Sequence, residues 1–338
     1  MSRSSTHFQL SVLGRKRNGP SALWVITCYF NPCNYQNRLQ NYKRFAHNLR
    51  QQSVQLLTIE LCARPEAAHL DQTTCTRYVQ VVETDVLWAK EQLLNIAERH
   101  LPAECTQICW CDCDVLFKDP QWAWATSDLL QRHRVLQPFA KCIFLGPEET
   151  PNNYGAFSDS LGFAMYYAQK KQTILGQGDI LVGHPGYAWA MRRDIWRQIG
   201  GLYDKCILGH ADIVMGVAFT HQVARDGPVP TTWEPAWDPG WSVALKDNVR
   251  AWQAFVSTVV QGDVGFLPGF IFHLWHGPRD NRQYHVRGQL LADFDPDVHL
   301  ARGDNGLYHW TPAALALKLD EKCKLYFEKR KEDQQRVK

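Results

Sequence analysis

The chain has 338 residues, a formal net charge of +3, 45% apolar and 21% charged residues, a globular composition that excludes a wholly disordered or collagen-like protein. The length suits one large or two modest domains, and so small a net charge gives little ground for a nucleic-acid partner. No apolar run of about 18 residues is present, and Met1 to Pro20 is polar and basic without the apolar stretch of a signal peptide. The sequence therefore predicts a soluble cytoplasmic protein with no membrane span. Its eleven cysteines are an odd number at spacings that match no small disulfide scaffold, so reduced thiols are expected.

Residues 1–20 read as a flexible arm. Ala22 to Phe30 is a nearly continuous apolar run, the pattern of a central strand buried on both faces. Asn31-Pro32 breaks it, Asn34 is placed to cap a helix, and Tyr35, Leu39, Tyr42, Phe45 and Leu49 recur at helical spacing. Strands are expected at Val54 to Leu61 and Tyr78 to Val82, then a helix from Val86 to His100 capped by Asp85. A buried strand from Cys105 to Trp110 follows. Strands alternating with helices in this way predict an α/β sheet.

The strand at Cys105 leads into Ile108-Cys-Trp-Cys-Asp-Cys-Asp114. Alternation puts Cys109, Cys111 and Cys113 on one face and Trp110, Asp112 and Asp114 on the other. Two carboxylates so close repel each other unless a cation lies between them, which points to a hard divalent ion. The competing reading is a strand end with a turn. The cysteine trio suits buried small hydrophobes better than a zinc site, because alternate positions of one strand are too extended to close a tetrahedron.

Further on, a helix is expected from Trp122 to Leu130, a strand from Val135 to Phe139, a loop over 146–160 and a helix near Leu161 to Ile174. Gly176 to Asp179 then turns into a strand from Ile180. A short helix from Asp194 ends in Gly200-Gly201, and another runs from Asp212 to Gln222. Pro228 to Trp241 reads as a loop. A helix from Ala244 to Val260, a strand from Gly265 to Leu274 and a closing helix from Pro312 to Lys331 complete the pattern.

The order of these features over about residues 22–290 resembles nucleotide-sugar glycosyltransferases of the GT-A fold, closest to the family-2 type. The matching features are Tyr29-Phe-Asn31 at the end of the first strand, Lys90 and Asn95 on the next helix, the Asp112 and Asp114 pair, Ala188-Trp-Ala-Met-Arg192, Gly200-Gly-Leu-Tyr-Asp204 and Gly209-His-Ala-Asp212. One departure is Ala211, where the family carries an acidic residue before the final Asp. The resemblance implies a GT-A (Rossmann-like) mixed central sheet flanked by helices, with a C-terminal helical and loop extension. It divides the chain into the arm 1–20, a nucleotide-sugar-binding core 21–225, an acceptor- and metal-completing part 226–310, and a helix and tail 311–338.

Cleavage of a sugar–diphosphate bond builds negative charge on the leaving group, which a divalent cation stabilises. Asp112 and Asp114 are the expected ligands of Mn2+ or Mg2+, and the resemblance implies a third from Phe272-His-Leu-Trp-His276-Gly, with His276 preferred over His273. Asp212 is the expected base for the acceptor hydroxyl, against a role in capping its helix. Arg282 and Arg287 offer guanidinium forks for the diphosphate, against a solvated surface segment paired with Asp280 and Asp293. Asn31, Arg38, Lys90 and Asn95 are candidates for the nucleotide, with a UDP-sugar as the leading donor; Trp237, Asp238 and Trp241 are candidates for the sugar. The acceptor is a glycan, a protein or a small molecule. A nucleic-acid acceptor has only the basic arm Arg15 to Arg17 and the mild positive charge in its favour. The alternatives are a nucleotidyltransferase, which would carry glycine where Asn31-Pro-Cys-Asn-Tyr stands, and a non-catalytic sugar- or nucleotide-binding member of the fold.

Overall fold

The computed structural model describes residues 20–151, 159–170, 183–220, 240–284 and 286–334. The arm, the stretch from Gly176 to Ile180, and Pro228 to Pro239 with Trp237 and Asp238 lie outside the described residues.

The first strand, β1 (Leu23–Phe30), is buried at all eight positions, as its unbroken apolar run requires. It pairs in parallel with β2 (Gln55–Cys62), which pairs in parallel with β3 (Arg77–Val82). On its other side lies β4 (Gln107–Cys111), also parallel. The helices between them, Gln36–Gln51 and Lys90–Arg99, are the crossovers that parallel pairing needs. Tyr42, Phe45, Ala46 and Leu49 form the buried face of the first.

After β4 the chain leaves this sheet for a short β5 (Val115–Phe117) and returns to it through β6 (Val135–Gln137). Then come β7 (Lys141–Phe144), β8 (Asp159–Gly162), β9 (Gly183–His184), β10 (Ala188–Arg192), β11 (Val264–Phe266) and β12 (Phe270–His273). The main sheet has seven strands in the order β11-β6-β10-β4-β1-β2-β3, with β10 antiparallel between β4 and β6. A second sheet of five runs β5-β12-β7-β8-β9. The result is the expected mixed central sheet flanked by helices, with helices Pro312–Ala316 and Leu319–Lys329 following. Among the described residues no helix is long and apolar enough to cross a membrane.

Alternation along β1 and β4 divides the core as the sequence pattern requires. Trp24, Ile26, Ile108 and Trp110 face one buried cluster; Leu23, Val25, Cys109 and Cys111 face the other. All eleven cysteines are free thiols.

Several expected boundaries move. The strand expected at Cys105 to Trp110 is Gln107–Cys111. Helix Gln36–Gln51 is preceded by Tyr35 in place of Asn34, whose φ of 56° puts it in a left-handed turn. Asp85 caps no helix: the helix starts at Lys90, and the Asp85 carboxylate accepts from the Trp310 N–H at 2.9 Å. Gly265 to Leu274 is two strands in different sheets, because Gly269 at φ 125° turns the backbone between them. The closing helix breaks at Lys318, whose φ of 55° cannot continue a right-handed helix. The helix expected from Leu161 begins at Phe163, where β8 ends.

Candidate active site

The site lies where β4 ends. Thr27 Oγ1 donates to the Cys111 carbonyl at 2.8 Å and ties the end of β4 to β1. The next N–H, that of Asp112, donates to the Tyr187 carbonyl at 2.7 Å. Beyond this point the chain turns into β5, which pairs antiparallel with β12 in a register that sets His273 opposite Val115. That register carries His273 to Asp114, and the Leu274 N–H bonds the Asp114 carbonyl at 2.8 Å.

Asp114, His273 and His276 converge, with one ligand atom from each within 4.8 Å of the others. The two Nε2 atoms lie 3.0 Å apart, and they stand 3.7 Å and 3.4 Å from Asp114 Oδ2. Asp114 Oδ1 and His276 Nδ1 are buried without a hydrogen-bond partner among the described residues. Burial pushes the His273 imidazolium pKa down to about 4, so the ring is neutral and keeps a lone pair. Two imidazoles and a carboxylate with an unsatisfied oxygen form a donor set that fits a divalent transition metal such as Mn2+. Both histidines belong to the group, where the sequence reading preferred His276.

Asp112 is held differently. Its carboxylate forms an ion pair with Lys90 Nζ. Burial raises the Asp112 pKa despite that ammonium; burial opposes the Lys90 charge too, but Asp112, Glu91 and Asp212 outweigh it and raise the ammonium above its ordinary value. Lys90 thus offsets the Asp112 charge, and the converging group of Asp114, His273 and His276 does not include Asp112, which the sequence reading expected as a metal ligand.

Asp212 lies in the first turn of helix Ala211–Thr220. Its Oδ1 accepts from the Ile213 N–H at 3.0 Å. A Cβ built on Gly186 would stand 3.0 Å from Asp212 Oδ2 and 2.9 Å from His184 Cε1, so glycine keeps a slot between this carboxylate and the imidazole. The Gly186 N–H donates to His184 Nδ1 at 3.0 Å, which leaves the proton of the neutral ring on Nε2. Burial lowers the His184 pKa to about 4 and keeps that ring neutral. Tyr187 stacks on it at 4.1 Å and lies 5.0 Å from the His273 ring, from a backbone at φ 76°. A non-glycine residue there is strained, and strain collects where a site must be aimed.

The arginines expected at the diphosphate are buried, at 6% exposure for Arg282 and 5% for Arg287, which corrects the solvated-surface alternative. Arg282 Nη2 donates to the His276 carbonyl at 3.1 Å, next to the Asp114, His273 and His276 group. Arg287 donates to His210 Nε2 at 3.2 Å and to the Tyr326 hydroxyl at 2.8 Å.

The other expected contacts have partners within the protein. Asn31 holds its own turn, bonding the Tyr35 N–H and carbonyl at 2.9 Å each. Arg38 grips Glu332 through Nε and Nη2 at 2.9 and 2.7 Å. Asn95 bonds the Leu202 N–H and carbonyl at 2.8 and 3.0 Å, which pins the Gly200-Gly201 turn to its helix. Trp241 is buried in the core.

Sequence reasoning assigned no role to His184, Gly186, Glu91, Tyr326, Arg330 or Glu332. Nothing in the local sequence His184-Pro-Gly-Tyr signals a ring beside the Asp212 carboxylate. A second convergence, Glu83, Asp85 and His309, joins two segments: His309 Nδ1 lies 3.1 Å from Glu83 Oε2, while Glu83 Oε1 accepts from the Thr84 and Asp85 N–H groups at 2.8 and 3.2 Å.

No family model matches the sequence, and no curated protein matches it. Solved structures similar to this one include a Drosophila β-1,4-galactosyltransferase 7 in complex with manganese, UDP-Gal and xylobiose, at 13% identity and a TM-score of 0.32. That match spans 58% of this chain and 59% of the fly chain. Glucosyl-3-phosphoglycerate synthase of Mycobacterium tuberculosis, in complex with Mn2+, UDP and phosphoglyceric acid, is 11% identical over 86% of this chain and 87% of its own, with a TM-score of 0.39. A segment of S. aureus TarS is 10% identical over 80% of this chain and 64% of its own, with a TM-score of 0.38. The functional reading rests on the site itself: in this mixed α/β fold, a carboxylate–histidine group, a lysine-held carboxylate and buried arginines gather at the end of a central strand.

Proposed function

We propose that this protein is a metal-dependent glycosyltransferase that moves a sugar, a hexose in the leading case, from a nucleotide-sugar to an acceptor hydroxyl with inversion. The observation that carries the reading is the convergence of Asp114, His273 and His276, with Arg282 hydrogen-bonded to the backbone of His276. A UDP-sugar is the proposed donor, Mn2+ or Mg2+ the proposed ion, and a glycan, protein or small molecule the proposed acceptor. Asp114, His273 and His276 would hold the ion, which when bound neutralises charge on the departing diphosphate.

The remaining roles belong to the protein's own side chains. Lys90 keeps Asp112 in place and adds a fixed positive charge at the end of β4. Arg282 and Arg287 present donors to phosphate oxygens. Asp212 Oδ2, beside the slot at Gly186, accepts the acceptor's proton as its oxygen attacks. With a single base and no second carboxylate assigned as nucleophile, direct displacement gives inversion.

Calorimetric titration with UDP, GDP and CDP, with and without manganese, tests this on the parent and on Asp114→Asn. One nucleotide should bind tightly in a manner that needs both the metal and Asp114. Silent titrations across the panel would remove the proposed donor site.

A further inference from the structure

His273 and His276 are held by different means. His273 closes β12, and the pairing of that strand with β5 and β7 fixes it; His276 lies three residues past the end of β12, outside any strand. A ring that is to hold an ion must nonetheless be aimed. The support of His276 comes from the far end of the chain. Gly277, next to it, has a φ of 94° and backs onto the segment that follows helix Leu319–Lys329. A Cβ on Gly277 would stand 3.0 Å from Glu332 Cα and 3.0 Å from the Lys331 carbonyl oxygen, so backbone meets backbone and no side-chain rotation makes room. Asn281 Nδ2 donates to Gln334 Oε1 at 3.2 Å. The loop from Trp275 to Arg282 thus rests on residues 331–334.

Those residues are in turn docked on helix Gln36–Gln51. Tyr35, which precedes it, makes no side-chain cap bond among the described residues, and the first turn holds no acidic residue. Open N–H groups and a positive dipole end therefore await an anion. Asp333 supplies one from 297 positions along the chain: its Oδ2 accepts from the Gln36 N–H at 3.0 Å, and its Oδ1 from the Asn37 N–H at 2.7 Å. Glu332 draws Arg38 and Arg330 into one arginine cluster, and Asn37 Nδ2 donates to the Glu332 carbonyl at 2.7 Å. The same helix reaches the loop directly, through Asn41 Nδ2 and the Trp275 carbonyl at 2.8 Å. Helix N-terminus, C-terminal segment and loop are each bonded to the other two.

We infer that residues 331–334 are a positioning strap for His276: docked on the helix through Asp333, they hold Gly277 and with it the imidazole beside Asp114 and His273. This rests on the reading of that group as an ion site and extends it to residues that supply no ligand atom.

The test uses the full-length protein with Asp333→Ala and Gly277→Ala. Ser242→Ala is the control, because it removes a helix cap elsewhere: Ser242 Oγ accepts from the Leu245 N–H at 3.0 Å at the start of helix Val243–Val260. Calorimetry with manganese alone, below the melting transition of every variant, should show binding weakened at least about tenfold in Asp333→Ala and Gly277→Ala, as loss of a supporting shell implies, and unchanged in Ser242→Ala. Asp333→Asn, whose amide oxygen also serves as a cap, should recover most of the affinity. Hydrogen–deuterium exchange on the metal-free protein needs no ion: Asp333→Ala should speed exchange over 275–282 as well as in the first turn of its helix, and Ser242→Ala only around its own. Equal manganese affinity in parent and Asp333→Ala overturns the inference and leaves the ion site standing, as does unchanged exchange over 275–282. Equal weakening by Ser242→Ala also overturns it, since general loosening would then be the cause. A parent silent toward manganese, with faster exchange over 275–282 in Asp333→Ala, removes the ion site and reduces the strap to a loop support, which refutes the role assigned to it.

Discussion

Glu332→Gln preserves the volume of a side chain that is 1% exposed and removes its charge. The carboxylate receives three charge-assisted hydrogen bonds, from Arg38 Nε and Nη2 at 2.9 and 2.7 Å and from Arg330 Nε at 2.7 Å. Breaking a buried pair by removing one partner costs about 3–5 kcal/mol, because the other charge stays buried. The amide carbonyl keeps one acceptor, so we expect the lower end, about 3 kcal/mol, out of a total of about 5–15 kcal/mol. At about 2 °C per kcal/mol for a chain of this size, Tm should fall by about 6 °C.

The effect has a pH signature. Burial would raise the Glu332 pKa, yet Arg38, Arg330 and Arg282 hold it well below the usual carboxylate range. A carboxyl depressed in the folded state contributes stability that is full above its unfolded pKa of about 4.3 and fades as pH falls below it. Thermal and denaturant unfolding of parent and variant at pH 7 and in acid would therefore show a gap that narrows with acidification. A gap under about 0.5 kcal/mol at pH 7, the range of ordinary surface substitutions, would refute the argument that this carboxylate holds the arginine cluster together.

Three other outcomes are expected. His276→Ala should weaken manganese binding by about tenfold or more, read by calorimetry with the metal alone, while leaving the melting curve of the metal-free protein close to the parent's; removing one of three ligands has no other route to that pairing of results. Gly186→Ala should lower turnover about tenfold, measured as UDP release from a UDP-sugar, because its Cβ would stand 2.9 Å from His184 Cε1 and 3.0 Å from Asp212 Oδ2 and would displace both; unchanged turnover would count against Asp212 as base. Burial raises the Glu91 pKa to about 8, so below its unfolded pKa its contribution to stability is intact and it is lost as pH rises toward 8. Glu91→Gln should then raise Tm at pH 8 but not at pH 4, and an increase of equal size at both would contradict the assignment of a raised pKa.

Much of the fold was legible because burial on both faces writes an unbroken apolar run, as in Leu23–Phe30, and burial on one face writes a helical stripe, as in Tyr42, Phe45 and Leu49. The Asp112 and Asp114 spacing and the His273 and His276 pair were visible for a related reason, since polar residues at the end of an apolar strand stand out. Tertiary structure decided how these pieces met. The register of β5 against β12 joins Asp114 to histidines far along the chain, and Lys90, read as a nucleotide contact, pairs with Asp112. Arg38 reaches Glu332 across nearly the whole sequence, and neither residue alone carries any local sign of it. Periodicity reports which side of an element avoids water; it does not report which partner waits there, because ion pairs and ligand groups between distant segments depend on crossovers and strand register, to which local patterning is blind.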